Sequence, residues 1–326
     1  MTRLPWYLEI TLASIVLTAC GCSGDHQETK PLKVGIDEFV GFAPIYLARD
    51  QGLRVEPRII PDTKERNAAF NAGKIDVICT TVDSLLLLAE RGAPLTIIAA
   101  IDQSDGADGL LVNKQIKSIQ DLKGRTVAFQ EEMPSQFLLL WILNQNRMRL
   151  ADVLAVHLEA ENAGSAFAAG RVDAAVTWEP WLSKAAATGH GRVLVSSRDY
   201  PGVLVDALAV RTNVYERRQR DVIALYDAWM TAVDSIKKDP DRTTVFMSKK
   251  LNLGLASFRE NLKTLKLTDR AFNRSFFDHQ DHHSIWNLSS TAVQMWKDTG
   301  ILTDATFDPG THISSRIVEL GIQAPK

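Results

Sequence analysis

An eight-residue pattern that occurs twice is the feature that most constrains the fold of this chain. Residues 69–76 read Ala-Phe-Asn-Ala-Gly-Lys-Ile-Asp, and residues 166–173 read Ala-Phe-Ala-Ala-Gly-Arg-Val-Asp. Each copy predicts a helix that ends at glycine, because glycine adopts the left-handed backbone that closes a helix, followed at once by a buried strand. Chance is the rival interpretation, since Ala and Gly are common residues, but the order of residue types holds over eight positions. The repeat therefore predicts two similar α/β lobes that face each other, with a small-molecule cleft between them.

Length and charge limit the classes of function that are open to this chain. Its 326 residues suffice for about two domains, and 45% of them are hydrophobic, as in an ordinary globular protein. The formal net charge of −2 and the lack of a basic stripe argue against a nucleic-acid partner. Three cysteines, at positions 20, 22 and 79, do not form a disulfide framework.

The N-terminal residues predict export. Arg3 precedes the short apolar run 10–17, which ends in Leu17-Thr18-Ala19-Cys20. The run is too short to anchor the chain by spanning a bilayer, and small residues before a cysteine resemble the bacterial lipobox. We therefore predict a lipoprotein signal peptide over residues 1–19, a lipidated Cys20 and a polar tether over residues 20–31. An ordinary signal cleaved near Ala19, or a merely hydrophobic start, is the alternative.

From Leu32 onwards, short apolar runs alternate with helical patterns. This alternation predicts parallel sheets with helices on both faces, and a second cycle begins at the capping-box-like segment 118–121. Residues 203–210 predict a strand that returns to the first lobe. Beyond Asn213 the pattern is mostly helical, and we expect those helices to pack on the first lobe.

Four local strings carry a resemblance to a known family. They are Ser104-Asp105-Gly106-Ala107-Asp108, Asp121-Leu122-Lys123-Gly124, Ala169-Gly170-Arg171-Val172-Asp173-Ala174-Ala175 and Thr177-Trp178-Glu179-Pro180-Trp181. With the lipobox and the two-lobe pattern, they resemble the substrate-binding lipoproteins of bacterial ABC importers. The resemblance is to the group for nitrate, taurine and alkanesulfonates, with relatives that bind thiamine-precursor pyrimidines.

The resemblance implies an α/β fold of the periplasmic binding protein type II class, with two doubly wound sheets joined by a two-segment hinge. The chain would cross between the lobes near residues 106–110 and 203–207. Lobe 1 would then comprise residues 32–108 and 205–326, including the C-terminal helices, and lobe 2 residues 109–204. Ligand would close the two lobes.

Candidate binding residues lie in loops after the strands, because ligands of open parallel sheets bind outside the carboxyl ends of the strands. The predicted set is Asp37, Phe39, Phe42, Thr81, Ser84, Ser104, Asp105, Asp108, Glu131, Ser135, Trp178, Glu179, Trp181 and Asp206. Several of these residues could instead have a purely structural role. Ser84 and Ser135 could simply cap helices, one tryptophan and one phenylalanine could pack in the core, and aspartates in a glycine-containing loop often form turns.

The acidic candidate residues give a slight preference for one class of ligand. Asp105, Asp108 and Glu179 could pair with an amine, an amidine or a urea-like group, which favours taurine's ammonium or an aminopyrimidine over a bare anion such as nitrate. The cluster of His279, His282 and His283 invites a metal interpretation. A polar helix start before Ser284 is the better one, so we predict neither a metal nor a cofactor.

The functional hypothesis is a monomeric solute-binding lipoprotein at the extracytoplasmic face of a bacterial membrane. It would capture a small polar organic or anionic solute, such as an alkanesulfonate, taurine or nitrate, and deliver it to an ABC permease without catalysing a reaction. Two alternatives remain open. One is an enzyme on the same scaffold, similar to pyrimidine synthases or dehydratases, although the cysteine-rich motif of such synthases is not found. The other is a ligand-sensing lipoprotein.

Overall fold

The computed structural model describes residues 30–321 of the chain. The predicted signal peptide, Cys20 and nearly all of the predicted tether lie outside the described residues. Across 30–321, we find no helix with the length and apolarity needed to cross a membrane.

The elements of the fold alternate as the sequence predicts. The first cycle comprises β1 (Leu32–Ile36), α1 (Pro44–Asp50), β2 (Val55–Ile59), α2 (Thr63–Asn71), β3 (Val77–Thr81), α3 (Val82–Glu90) and β4 (Leu95–Ser104). The second cycle comprises β5 (Asp108–Asn113), β6 (Thr126–Phe129), α4 (Pro134–Gln145), β7 (Leu154–His157), α5 (Ala160–Ala168), β8 (Ala174–Trp178), α6 (Trp181–Ala186) and β9 (Gly191–Ser196).

The remaining elements are mostly helical. They are β10 (Val205–Arg211), α7 (Thr212–Arg217), α8 (Gln219–Lys238), α9 (Pro240–Lys250), α10 (Leu255–Leu262), β11 (Leu265–Leu267), α11 (Arg270–Phe276), α12 (Ile285–Asp298) and α13 (Arg316–Gly321). Helix α8 packs on α1, α12 packs on α3, and β11 pairs with β4. The C-terminal helices therefore extend the first half of the molecule, as predicted.

Two separate sheets organise these elements. The first has the strand order β11-β4-β10-β3-β1-β2 and the second has the order β7-β6-β8-β5-β9. We call the part built on the first sheet lobe 1 and the part built on the second sheet lobe 2. Strands β6, β7 and β8 of lobe 2 occupy the same places as β1, β2 and β3 of lobe 1, so the two lobes share one plan.

The sheets are mixed, whereas the sequence predicted parallel sheets. Strand β10 runs antiparallel to β3 and β4, and β5 runs antiparallel to β8 and β9. Each of these strands arrives from the other lobe and enters beside the carboxyl end of a parallel strand. Asp206 of β10 pairs with Thr81, and Asp108 of β5 pairs with Trp178. A strand that enters at that end must run in the opposite direction.

The sequence repeat is a structural repeat. Gly73 and Gly170 have φ angles of 69° and 67° and follow α2 and α5 at equivalent places. In both copies the next residue closes the helix, because the Lys74 amide donates to the Ala69 carbonyl at 2.8 Å and the Arg171 amide donates to the Ala166 carbonyl at 2.9 Å.

The aspartate that ends each repeat has a matching role in the two lobes. The Asp76 carboxylate accepts a hydrogen bond from the Lys33 amide at 2.9 Å, which fixes the start of β1 beside β3. The Asp173 carboxylate accepts from the Thr126 amide at 3.0 Å, which fixes the start of β6 beside β8. The repeat thus encodes a helix end, a turn and the anchoring of a neighbouring strand.

Acidic side chains lie at the starts of α2 and α3. The N-cap of α2 is Asp62, whose carboxylate accepts from the Glu65 amide at 2.7 Å, and Thr63 is the first helical residue. Helix α3 begins at Val82, so Asp83 lies inside its first turn. A carboxylate in that turn faces the positive end of the helix dipole.

Candidate functional site

Three adjoining cavities lie between the carboxyl ends of the strands of the two lobes. An outer cavity of about 610 Å³ and a lateral cavity of about 340 Å³ share Thr63, Gln130 and Glu159 as lining residues. An inner cavity of about 40 Å³ shares Asp37, Phe39 and Trp178 with the lateral cavity. Both lobes therefore contribute to one continuous cleft, where the strand-end rule expects a ligand.

Twelve of the fourteen predicted site residues line this cleft. Those at the inner cavity are Asp37, Phe39, Phe42, Thr81, Ser104, Asp108, Trp178 and Asp206. Glu179 and Trp181 line the lateral cavity, and Ser84 and Glu131 line the outer cavity.

The other two predicted residues have partners elsewhere. The Asp105 carboxylate lies 3.3 Å from the Lys266 ammonium and 3.7 Å from the Arg198 guanidinium, beside the connection between the lobes. The Ser135 hydroxyl is buried, donates to the Gln130 carbonyl at 3.2 Å and accepts from the Gln130 amide at 3.0 Å. Neither side chain lines a cleft cavity, and a ligand-binding role for either stays a prediction.

Asp37 is held in place at the end of β1. One of its carboxylate oxygens accepts from the Phe39 amide at 2.9 Å, and the other lies 3.3 Å from the guanidinium of Arg66. Arg66 is 1% exposed and also donates to the Ile60 carbonyl at 2.8 Å. This arginine lies behind Asp37 and does not line the inner cavity.

Two carboxyl groups face each other beneath the inner cavity. Asp102 of β4 and Asp206 of β10 occupy paired positions and lie within hydrogen-bond reach of each other. Burial raises the pKa of Asp102 to about 7, and burial together with the charge of Asp102 raises the pKa of Asp206 well above its usual range. A proton shared between the two groups relieves their repulsion.

The loop above this pair requires a glycine. A Cβ atom at position 41 would lie 2.2 Å from an oxygen of Asp102 and 2.9 Å from the ring of Phe39. The loop that follows β1 can pack on the acidic pair only because Gly41 has no side chain.

Asp108 lies at the point where the chain enters lobe 2. Its carboxylate accepts from the Ser104 hydroxyl at 2.6 Å, and Ser104 is also 2.6 Å from the hydroxyl of Ser197. Ser197 in turn accepts from the Gly106 amide at 2.8 Å. Burial raises the pKa of Asp108 to about 7 despite the bond from Ser104. This network connects the two crossings between the lobes and ends in the inner cavity.

A further buried carboxyl group lies next to the cleft. Asp83 is 2% exposed in the first turn of α3, and burial raises its pKa to about 7. The base of the cleft thus contains four aspartates whose pKa values are raised mainly by loss of water.

Aromatic side chains complete the inner and lateral cavities. The rings of Phe39 and Phe42 meet edge to face with centroids 5.3 Å apart. Trp178 lines both cavities, and the ring of Trp181 lies 4.2 Å from the ammonium of Lys184. Phe42 is 3% exposed and packs mainly in the core, as predicted for one of the two phenylalanines.

An ion pair connects the lobes at the rim of the outer cavity. Arg91 at the end of α3 donates to both oxygens of Glu132 in the loop after β6, with one of these bonds at 2.6 Å. Glu132 has a φ angle of 60°, and its amide donates to the Gln136 side chain at 2.6 Å. The bond to Arg91 lowers the pKa of Glu132 and raises that of Arg91.

The sequence prediction missed several residues that line the cleft. Glu159 follows β7, Gln130 follows β6 and Thr80 is the last residue but one of β3, so the strand-end rule could have found all three. Lys64 and Asn67 lie on α2 and not at a strand end, so the strand-end rule could not identify them. Asp102 does have a signal, since it is an acid at the end of the apolar strand β4.

The histidine cluster forms a helix start, as the sequence favoured. Ser284 caps α12, and the His283 amide donates to the Asp281 carboxylate at 2.8 Å. The His279 ring stacks on Trp286 with centroids 3.9 Å apart. Among residues 30–321, no group of three or more His, Cys, Asp or Glu side chains could hold a metal ion.

The two mixed sheets, their exchanged strands and the cleft between them define a protein of the periplasmic binding protein fold. The aliphatic sulphonate binding protein SsuA from Escherichia coli superposes with a TM-score of 0.72 at 20% identity, covering 89% of this chain and 99% of that chain. The chain belongs to the NMT1/THI5-like family, whose model matches residues 41–243.

Two relatives are named putative aliphatic sulfonates-binding proteins. The one from Bacillus subtilis is 24% identical over 315 residues, which is 91% of this chain and 94% of that protein. The one from Escherichia coli is 35% identical over 133 residues, which is 40% of this chain and 42% of that protein.

Proposed function

We propose that this protein is the extracytoplasmic solute-binding component of an ABC importer and captures a small polar solute between its two lobes. The observation that carries this proposal is the continuous cleft, which is lined by strand ends of both lobes. Within residues 30–321 the chain crosses between the two sheets twice, after β4 and after β9. The similarity to two putative aliphatic sulfonates-binding proteins supports a binding role.

The solute would be captured because each lobe supplies part of the lining of the lateral cavity. Asp37 and Phe39 come from lobe 1, and Trp178 and Glu179 come from lobe 2, so a solute in the lateral cavity contacts both. Contacts with both lobes are gained only when the lobes are close together, and a solute therefore favours the closed arrangement. A permease that recognises this arrangement would distinguish loaded from empty protein.

The size of the cleft supports a small organic solute. The lateral cavity of about 340 Å³ is at the lower end of the range for small-molecule sites. An alkanesulfonate, taurine or a nitrate-like anion remains the proposed range of solutes. Within that range the buried aspartates favour taurine, whose ammonium group they can pair with.

The one cysteine among residues 30–321 offers no nucleophile to the cleft. Cys79, the one cysteine among the described residues, is completely buried, and burial raises the pKa of its thiol well above the usual value, which makes it a poor nucleophile. We accordingly propose a receptor and not an enzyme. A sensor that reports occupancy to a membrane partner would use the same closure.

We further propose that acyl chains on Cys20 hold the protein at the membrane surface, that it acts as a monomer and that the partner is an ABC permease. The pattern Leu17-Thr18-Ala19-Cys20 supports the anchor.

Native mass spectrometry of the full-length protein, purified from its own host, tests the proposed function. We expect a bound solute of a few hundred daltons or less that leaves on mild unfolding and returns on refolding. Chemical conversion of that solute by the protein would refute the receptor. Uptake of the solute that persists in cells without the protein would show that transport does not depend on it.

A further inference from the structure

We propose that the solute carries a positively charged nitrogen group, such as a protonated amine, amidine or guanidine, and that this group binds in the inner cavity. This inference rests on the proposed function, because it specifies the chemical class of the captured solute.

The lining of the inner cavity supplies carboxyl groups that a bound cation would ionise. Three carboxyl groups, those of Asp37, Asp108 and Asp206, line a space of about 40 Å³. No Lys, Arg or His of residues 30–321 lines it. A water molecule takes up about 30 Å³ in the liquid, so this space fits an ammonium group or the end of an amidinium group.

The environment of the Asp206 side chain is a second, independent argument for a cationic group in the inner cavity. Asp206 is 7% exposed and lines the cavity, and within the part of the chain that the structure describes the only hydrogen-bond partner of its side chain is the carboxyl group of Asp102. Apart from the proton that these two groups can share, no N–H or O–H group of the described chain donates to either oxygen of Asp102. Buried acceptors are costly when they have no donor, and a cationic N–H group in the cavity would supply one.

The aromatic lining favours the same class of ligand. Phe39, Phe42 and Trp178 line the inner cavity, and aromatic faces attract cations, particularly where water is excluded. At the neighbouring Trp181, the Lys184 ammonium already lies over the ring, 4.2 Å from its centroid.

The local helix end does not offer a good site for an anion. Helix α3 begins directly after Thr81, which lines the inner cavity, and its first turn would normally attract a negative group. Asp83 already lies in this turn and is buried. A sulfonate placed in the inner cavity would also face three carboxyl groups without a counter-charge.

A set of three probes that share a phenyl ring tests the charge preference. Benzamidine, benzamide and benzenesulfonate have a flat ring with a cationic, neutral or anionic head group. Isothermal titration calorimetry on the full-length protein, after removal of any copurified solute by unfolding and refolding, measures each affinity. We expect benzamidine to bind at least about tenfold more tightly than either of the others, as a charge-assisted hydrogen bond implies. Equal or tighter binding of benzenesulfonate overturns the proposal, and so does a failure of benzamidine to bind.

Two variants connect this preference to the inner cavity. Asp206→Asn should weaken benzamidine at least about tenfold, because it removes the carboxyl group that ionises when the cation binds. Trp178→Leu should weaken it about fivefold through loss of the aromatic face. Asp241→Asn, the same exchange at a largely exposed helix position outside the cleft, is the matched control, and circular dichroism confirms that each variant is folded. Unchanged binding of benzamidine by Asp206→Asn overturns the proposed location.

The cationic class of the solute and the proposed receptor function can be refuted separately. A copurified solute that has no positively charged nitrogen group would refute the cationic class and leave the receptor intact. A copurified cation that the protein converts chemically would refute the receptor and leave the inner cavity as the site of the cation.

Discussion

The ion pair between Arg91 and Glu132 should help to hold the lobes closed, and replacing Arg91 by glutamine tests this. The pair connects the end of α3 in lobe 1 to the loop after β6 in lobe 2, across the mouth of the outer cavity. It can form only when the two lobes are close together. The Arg91→Gln variant should therefore shift the protein toward the open arrangement and weaken solute binding.

The size of the effect follows from exposure and geometry. The two side chains are 47% and 35% exposed, so solvent screens the pair strongly, and such pairs contribute about 0.2–1 kcal/mol. The two-pronged geometry favours the upper end, and about 1 kcal/mol corresponds to about a fivefold change in the ratio of closed to open protein. Glutamine at position 132 is the matched exchange, because it keeps the side-chain length and a non-glycine residue at a φ angle of 60°.

Small-angle scattering and calorimetry on Arg91→Gln, Glu132→Gln and the double variant measure this effect. We expect a larger radius of gyration in the absence of solute and an affinity about two- to fivefold lower for each single variant. The double variant should lose little more than either single one, because both singles break the same pair. The effect should shrink at 1 M salt, where the screening length falls to about 3 Å. Additive losses in the double variant, or losses that do not depend on salt, would contradict this reasoning.

Three further predictions concern stability and anchoring. The raised pKa values in the cleft mean that, between about pH 4 and pH 7, the folded protein binds more protons than the unfolded chain. Its free energy of unfolding should fall as pH rises through that window, by up to about 1.4 kcal/mol per pH unit for each such group. The titratable and charged side chains that interact at the base of the cleft are Asp37, Asp83, Asp102, Asp108, Asp206 and Arg66. Thermal melts of the solute-free protein should show higher stability at pH 5.5 than at pH 8 and a weaker dependence in Asp206→Asn, and the reverse order would refute this. Asp173→Asn should cost about 1–3 kcal/mol in urea unfolding, because the carboxylate bonds both the amide and the hydroxyl of Thr126, and an unchanged midpoint would contradict its anchoring role. Cys20→Ser should abolish labelling by radioactive palmitate and release the protein from membranes, whereas a variant that stays membrane-bound would refute the proposed anchor.

The fold was predictable from the sequence because local signals and their repetition agree. Gly73 and Gly170 mark helix ends by their backbone requirement, and the apolar runs after Asp76 and Asp173 mark buried strands. The direction of β5 and β10 was not predictable in this way. It depends on which end of a sheet the chain enters, and the residues of an antiparallel central strand look like those of a parallel one.

The site was predictable in outline for a related reason. Strand ends identify loops, and most of the chosen loop residues do line the cleft. The pairing of Asp102 with Asp206 arises from the register between two strands that are about a hundred residues apart, and no local pattern encodes a register. The Arg91–Glu132 pair depends on how closely the lobes approach, which is a property of the folded molecule.

The exchanged strands also affect the order in which a chain made from its N-terminus can fold. Strand β10 lies between β3 and β4, so these two central strands have no partner between them until residues 205–211 have been synthesised. By then every strand of the second sheet has already been made. The first sheet to begin is therefore the last to be finished, and a chain interrupted before residue 205 would expose two long apolar edges to chaperones or to proteases.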